Sequence, residues 1–173
     1  NIFTDERASK RTEPYTDSIH SNGYIIYSKG DLRYKPKTLT NATIMKVGDL
    51  YSDRDRTTTF QQFSRLQNFL YPSINYQYAD STETDLIANV FLTPKDRYSL
   101  KFGFDLTHSN IQDFGVAFES SLVSRNVFRG AETLEVSARG TIGKSGDETI
   151  SEVGADIQIT TPRTLLPSKI ISL

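Results

Sequence analysis

Side chains able to do chemistry are sparse in this chain of 173 residues, and their spacing argues against catalysis. There is no cysteine, which removes thiolate nucleophiles, disulfides and thiolate metal ligands together. Two histidines are present, His20 in a polar stretch and His108 in an expected turn. They lack the HxxxH-type spacing that aims two imidazoles at one metal, and both read as solvated loop residues. The run "DRDR", Asp53 to Arg56, offers carboxylates, but alternating charges at a helix start serve solvation and the helix dipole. Asp80, Glu83 and Asp85 flank a turn and read as turn formers rather than calcium ligands. "GKSGDE" holds glycine and lysine without the spacing or the strand–helix setting of a phosphate loop. No nucleophile, base or metal set converges, so the chain is expected not to be an enzyme and to need no cofactor.

The elements are more informative than the reactive groups. Hydrophobic residues make up 36% and charged residues 24%, a soluble-looking balance, and no run of about 18 apolar residues exists to form a spanning helix. A membrane is not thereby excluded, because a transmembrane β-strand needs only ~9–11 residues with alternate ones apolar. The formal net charge of -1 removes the electrostatic case for nucleic acid. The chain opens on Asn1 without the basic, apolar and small-residue regions of a leader and stops at "PSKIISL". It reads as an internal piece of a longer protein, so a missing leader says nothing against export.

From Asp96 onward the hydrophobic period is two. In "RYSLKFGFDLTHSN" the residues Tyr98, Leu100, Phe102, Phe104 and Leu106 alternate with Ser99, Lys101, Gly103, Asp105 and Thr107. "DFGVAFESSLV", "ETLEVSARGTI" and "SEVGADIQIT" repeat the pattern, giving four amphipathic strands expected to pair antiparallel. Two connections, "HSNIQD" and "GKSGDETI", read as polar turns, and "SRNVFRGAE" as a longer one. The pattern fits a soluble β-sandwich sheet with its apolar side inward or the start of a barrel with that side toward lipid. Small residues on the polar side, Gly103, Gly115, Ala117 and Gly154, suit a curved sheet, and Tyr98, Phe114 and Phe128 suit headgroup level. Pattern alone leaves the two close to even.

The first half mixes periods. "GYIIYS" is a short strand after a polar loop. "YKPKTLTNATIMKVGD" predicts a short helix with Pro36 in its first turn and Gly48 just past its end, placing Leu39, Ala42 and Met45 on one face. Ser52 and Asp55 form a capping-box-like start for a second helix carrying Phe60, Phe63, Leu66 and Leu70, which Tyr71-Pro72 is expected to end. Strands "SINYQYA" and "DLIANVFLT" follow, joined by "DSTET".

The order of these motifs resembles one family. "KVGDLYSDRD" is similar to the helix–helix connection of POTRA domains, and "LQNFLYPSINYQY" to the passage from their second helix into their second strand. "YSLKFGFDLTHSNIQDFGVAFESSLVSRNVFRGAETLEVSARG" resembles the first three barrel strands of the BamA/TamA superfamily, and "ISEVGADIQITTPRTLLP" the fourth strand with its turn. "SRNVFRGAETLE" is closest in wording to the TamA-like (TamL) proteins of Bacteroidota. The resemblance implies an α+β POTRA domain (β-α-α-β-β) over residues 1–95, with 5–22 as an inserted polar loop. Over residues 96–173 it implies the first four antiparallel strands of an incomplete outer-membrane β-barrel. It further implies an outer-membrane assembly or translocation factor, with the POTRA part in the periplasm. Its partners would be nascent outer-membrane or exported clients, outer-membrane lipid and accessory assembly subunits.

Two backbone surfaces would carry that work. The second POTRA strand lies at a sheet edge in the family, here Ile74, Asn75, Tyr76, Gln77, Tyr78 and Ala79, and would add an incoming client strand by β-augmentation. In the family the first barrel strand pairs weakly with the last, which would make Tyr98, Ser99, Leu100, Lys101, Phe102, Gly103, Phe104, Asp105 and Leu106 one side of a lateral gate. The alternatives are a soluble periplasmic or surface α+β binding protein and a two-partner-secretion type pore.

Overall fold

The computed structural model describes residues 1–4, 12–80, 84–108 and 114–162. In chain order the elements are β1 (Ile2–Thr4), β2 (Asp17–Ser21), β3 (Tyr24–Ser28), α1 (Pro36–Ala42), α2 (Asp53–Arg65), β4 (Phe69–Tyr78) and β5 (Leu86–Pro94). Then come β6 (Tyr98–Thr107), β7 (Phe114–Arg125), β8 (Thr133–Ser145) and β9 (Glu148–Thr160). They form two units. One holds Asn1–Lys95 with Asn126–Glu132, and the other holds Asp96–Arg125 with Thr133–Thr160.

The N-terminal unit is a five-stranded sheet in the order β2-β3-β1-β5-β4 with both helices on one face. The three-residue β1 sits at the centre, parallel to β3 and to β5, and the outer pairs are antiparallel. A parallel centre must be covered, and Ile2, Ile26, Val90 and Leu92 are buried in one core with Leu39 and Ala42 of α1 and with Phe63 and Leu66 next to the end of α2. On the opposite face Phe3 stacks between Tyr27 and Phe91, with ring centroids 4.8 and 4.9 Å away.

This differs from the expected β-α-α-β-β order. The stretch assigned to an inserted loop contains β2, which pairs residue for residue with β3. Asn22 and Gly23, with φ of 52° and 81°, make the two-residue turn between them. An Asn-Gly doublet matches the twist of a hairpin because both positions accept positive φ. Helix α1 also stops earlier than Gly48 suggests. Thr43 leaves the helix at φ -96°, ψ 116°, and its hydroxyl bonds the Leu39 carbonyl at 3.1 Å, so Met45 lies outside the helix. Two β-branched residues in succession, Thr43 and Ile44, favour that exit, and Gly48, with φ 90°, belongs to the connection that follows.

Helix α2 begins as expected, with the Ser52 hydroxyl accepting the Asp55 N–H at 3.3 Å. Its end is not at Tyr71-Pro72. Gln67 turns left-handed at φ 55°, and Phe69 already opens β4. Pro72 is tolerated inside β4 because the ladder to β5 is broken between Leu70 and Ser73, where Tyr71 takes φ 44°.

The C-terminal unit is a four-stranded antiparallel sheet in the order β6-β7-β8-β9. Its register keeps the alternation aligned across all four strands. Leu100, Leu122, Val136 and Ile157 form one row and Phe104, Phe118, Gly140 and Val153 another, while the row of Phe102 passes through Ser120, Ala138 and Ala155 and that of Leu106, Val116 and Ile142 ends on Ser151. The intervening rows are polar or small: Lys101, Ser121, Ser137 and Asp156, then Gly103, Glu119, Arg139 and Gly154. The expected turn "GKSGDETI" is shorter than the sequence suggests, since pairing continues to Ser145 and Glu148 and leaves Gly146 and Asp147. Of "HSNIQD", all but His108 falls outside the described residues.

Candidate functional site: two open strand edges

Residues Ile74 to Tyr78 lie in β4, which is an edge of the N-terminal sheet; Ala79 follows it. Which of their backbone groups are free follows from the ladder. The Ala79 N–H bonds the Asp85 carbonyl at 2.9 Å, so that facing pair is a hydrogen-bonded one. Hydrogen-bonded and non-hydrogen-bonded pairs alternate in an antiparallel ladder. Gln77 and Asn75 therefore turn their N–H and C=O inward to Ile87 and Asn89 of β5. Ile74, Tyr76 and Tyr78 turn theirs outward. The far side of β5 agrees, because the Val90 N–H and the Ala88 carbonyl are used by Asn1, in bonds of 3.0 and 2.8 Å.

The side chains of the outward-bonding residues lie on the helix side of the sheet. Ile74 is buried, Tyr76 is half-buried and Tyr78 is exposed. The Tyr76 hydroxyl donates to Met45 Sδ at 2.9 Å, and its ring meets Tyr51 edge-on with centroids 5.1 Å apart. Tyr24 donates to the Met45 carbonyl. Met45, Val47, Leu50, Tyr51, Tyr76 and Leu86 line an open groove of about 660 Å³, with Asp49, Asp55 and Asp85 among its acidic residues. Leu50 and Val47 are 94% and 75% exposed. Burial pushes the Tyr76 hydroxyl above the usual tyrosine range, Tyr51, Asp53 and Asp55 push it further, and Arg56 opposes them. Burial and Asp49 raise Tyr24.

Residues Tyr98 to Leu106 lie in β6, an edge of the second sheet. The Arg125 N–H bonds the Arg97 carbonyl at 2.8 Å, so Ser99, Lys101, Gly103 and Asp105 point their backbone groups inward to β7. Tyr98, Leu100, Phe102, Phe104 and Leu106 point theirs outward. The same five residues carry the apolar side chains, each 59–68% exposed. Across the sheet Phe118, Val136, Ile142, Val153, Ile157 and Ile159 are exposed too. The other face is held by polar contacts. Ser121 Oγ donates to Glu135 Oε1 at 2.5 Å, Lys101 Nζ lies 3.8 Å from the same oxygen, and Arg139 covers Gly154 so closely that a Cβ there would meet its Nε at 3.0 Å.

Among the described residues the reactive side chains do not converge. His20 is in β2 and His108 follows β6, Asp53 and Arg56 form an exposed pair at 3.3 Å, and Glu83 falls outside the described residues. Among the described residues no three His, Cys, Asp or Glu side chains are grouped to hold a metal ion. Sequence reading located both strands but missed the groove, whose signal was "KVGDLY", three apolar residues in a connection with no helical or strand period to bury them.

No family model matches the chain, and no curated protein matches it. Its fold is similar to that of CdiB from Acinetobacter baumannii, with a TM-score of 0.57 at 9% identity, covering 81% of this chain and 28% of that one. A second solved structure, BamA from Haemophilus ducreyi lacking POTRA domains 1–3, aligns over 78% of this chain and 34% of that one, with a TM-score of 0.41 at 10% identity. The chain thus spans about a third or less of the length of either protein.

Proposed function

We propose that this chain is the last periplasmic POTRA domain and the first four barrel strands of an outer-membrane assembly or translocation factor of the BamA/TamA superfamily. CdiB and BamA both belong to that wider superfamily, and both are outer-membrane proteins. One observation carries the reading: the apolar side chains of β6–β9 share one face of the sheet in register, interrupted by Ser120 and Ser151, and most of them are exposed. Contiguous apolar surface on that scale is a liability in water and an asset in lipid. The same observation weighs against a soluble binding protein whose sheet packs inward.

In this reading unfolded, β-rich clients add to the free N–H and C=O groups of Ile74, Tyr76 and Tyr78, and later to those of β6 at the barrel seam. Pairing spares each backbone group the several kcal/mol that an unsatisfied one costs in hydrocarbon. Lipid and accessory assembly subunits are the remaining partners, and the TamA-like affinity rests on the wording of "SRNVFRGAETLE". The likeness to CdiB favours a second reading, a two-partner-secretion type pore that passes its substrate across the membrane rather than into it.

A pair of proline variants tests the capture step in the full-length protein. Tyr76→Pro removes an outward N–H and leaves the β4–β5 ladder whole, whereas Asn75→Pro removes an inward one and breaks the ladder. Site-specific crosslinking of a client from position 77 should fall severalfold in folded Tyr76→Pro. Undiminished crosslinking in that folded variant refutes capture at β4.

A further inference from the structure

Residues Asn126–Glu132 connect β7 to β8 in sequence but pack in the N-terminal unit. Three of the seven, Asn126, Arg129 and Ala131, have φ of 57°, 67° and 63° although none is glycine. Left-handed backbone at Arg and Ala is strained and persists only where surrounding contacts over-determine it. Those contacts are present. The buried Glu132 carboxylate accepts the N–H groups of Phe128 and Gly130 at 3.1 and 3.0 Å, and Asn126 Oδ1 accepts that of Ala131 at 3.1 Å. Outward from the loop, Asn126 Nδ2 donates to the Arg33 carbonyl at 2.8 Å and the Arg129 guanidinium to that of Leu32 at 2.5 Å. The Lys35 N–H returns a bond to the Arg129 carbonyl at 2.7 Å. Ala131 is 1% exposed and belongs to the unit's hydrophobic core.

The fourth attachment falls on the root of the edge strand. Asn68, the residue before β4, is buried, and its Nδ2 donates to Ala131 O at 2.7 Å and Leu66 O at 2.9 Å. Its Oδ1 has no hydrogen-bond partner among the described residues. Its own carbonyl accepts the Lys95 N–H just after β5, at 2.8 Å. One buried asparagine therefore ties the base of the β4–β5 pair to the loop, and half of its side-chain anchorage comes from Ala131.

We propose that Asn126–Glu132 is a strap that sets the order of the edge strand β4. A strap closed on Asn68 holds β4 as a rigid template, and an opened strap lets its root fray. In sequence the strap runs from the end of β7 to the start of β8. The inference rests on the reading of β4 as the capturing edge, and the test separates the two. Asn126→Gly keeps the left-handed turn and deletes both side-chain bonds, and Arg129→Ala removes the guanidinium. Phe128→Ala is the control, since that side chain is 61% exposed. Hydrogen exchange in the full-length protein should quicken about five- to tenfold in β4, the ratio that loss of the single Asn68–Ala131 hydrogen bond gives, and stay unchanged in β3 and in Phe128→Ala. Unchanged β4 exchange, or equal acceleration of β3, overturns the strap. Should Asn126→Gly fail to fold, Arg129→Ala carries the same readout. Faster β4 exchange with undiminished client crosslinking supports the strap and overturns the capture reading.

Discussion

Replacing Phe104 by lysine separates lipid from water as the medium facing the second sheet. The apolar positions of β6 run from Tyr98 to Leu106, which at ~3.3 Å per residue is about 26 Å along the strand. In a transmembrane barrel a tilt of ~40° would reduce that to about 20 Å of membrane height, most of the ~25 Å apolar band. Phe102 is the middle position, and Phe104 lies two residues on, about 5 Å from it in height. Its row holds Phe118, Gly140 and Val153, with no carboxylate to pair with an ammonium group. A lysine near the bilayer midplane costs ~2–4 kcal/mol. In water the same exchange at a side chain already 68% exposed stays within about 0.5 kcal/mol. A difference of about 2 kcal/mol is roughly a 30-fold change in equilibrium. Denaturant titration of the full-length protein folding into lipid vesicles, read by heat-modifiable gel mobility, measures it. Asp105→Lys is the control, because its row of Ala117, Thr141 and Glu152 is polar or small. Equal losses at the two positions, or no loss at Phe104, would refute the lipid-facing assignment.

Alkaline titration tests the groove beside β4. Tyr24 and Tyr76 are raised in the folded state, so as pH climbs past about 10 the unfolded chain gives up its protons first and stability falls from there upward, being fully present below. Denaturant titrations of Tyr24→Phe and Tyr76→Phe on either side of that pH should show a shallower alkaline loss than the parent, and an unchanged slope in the double variant rules the groove out as its source. A client strand should crosslink to β4 and to β6 through residues of a single parity in its own sequence, and crosslinks from both parities exclude a shared register.

The parts of this architecture legible in the sequence are those written as periodicity. Four alternating runs after Asp96 announced β6–β9, and Ser52 followed by Asp55 announced the start of α2. What escaped had its cause outside the local pattern. Strand β2 reads DSIHS, too polar for a hydrophobic signal, and exists because Asn22-Gly23 folds it onto β3. Tyr71-Pro72 reads as a helix stop because the residue before a proline is disfavoured in a helix, but the helix has already ended and a ladder break at an edge accepts the proline within β4. Residues 126–132 carry no mark of packing with the N-terminal unit, since the hydrogen bonds that hold them there join residues about 60 or more positions apart in sequence. Backbone parity was equally hidden, because alternation says which side chains share a face and not which N–H groups a neighbour leaves unused.

That parity matters for the proposed hand-over. On β6 the residues with outward backbone groups are those with apolar side chains, so a strand adding there meets them as hydrogen-bonded pairs on the apolar face. On β4 the outward residues Ile74, Tyr76 and Tyr78 likewise face the apolar, helix side of their sheet. An amphipathic client bonded to β4 in hydrogen-bonded register with its apolar residues toward the groove already has the phase that β6 demands. It need not slip by one residue, a slip that would turn every apolar side chain to the wrong face. Two edges of opposite parity would have imposed that slip at the moment the client leaves water, when its unpaired backbone is most costly.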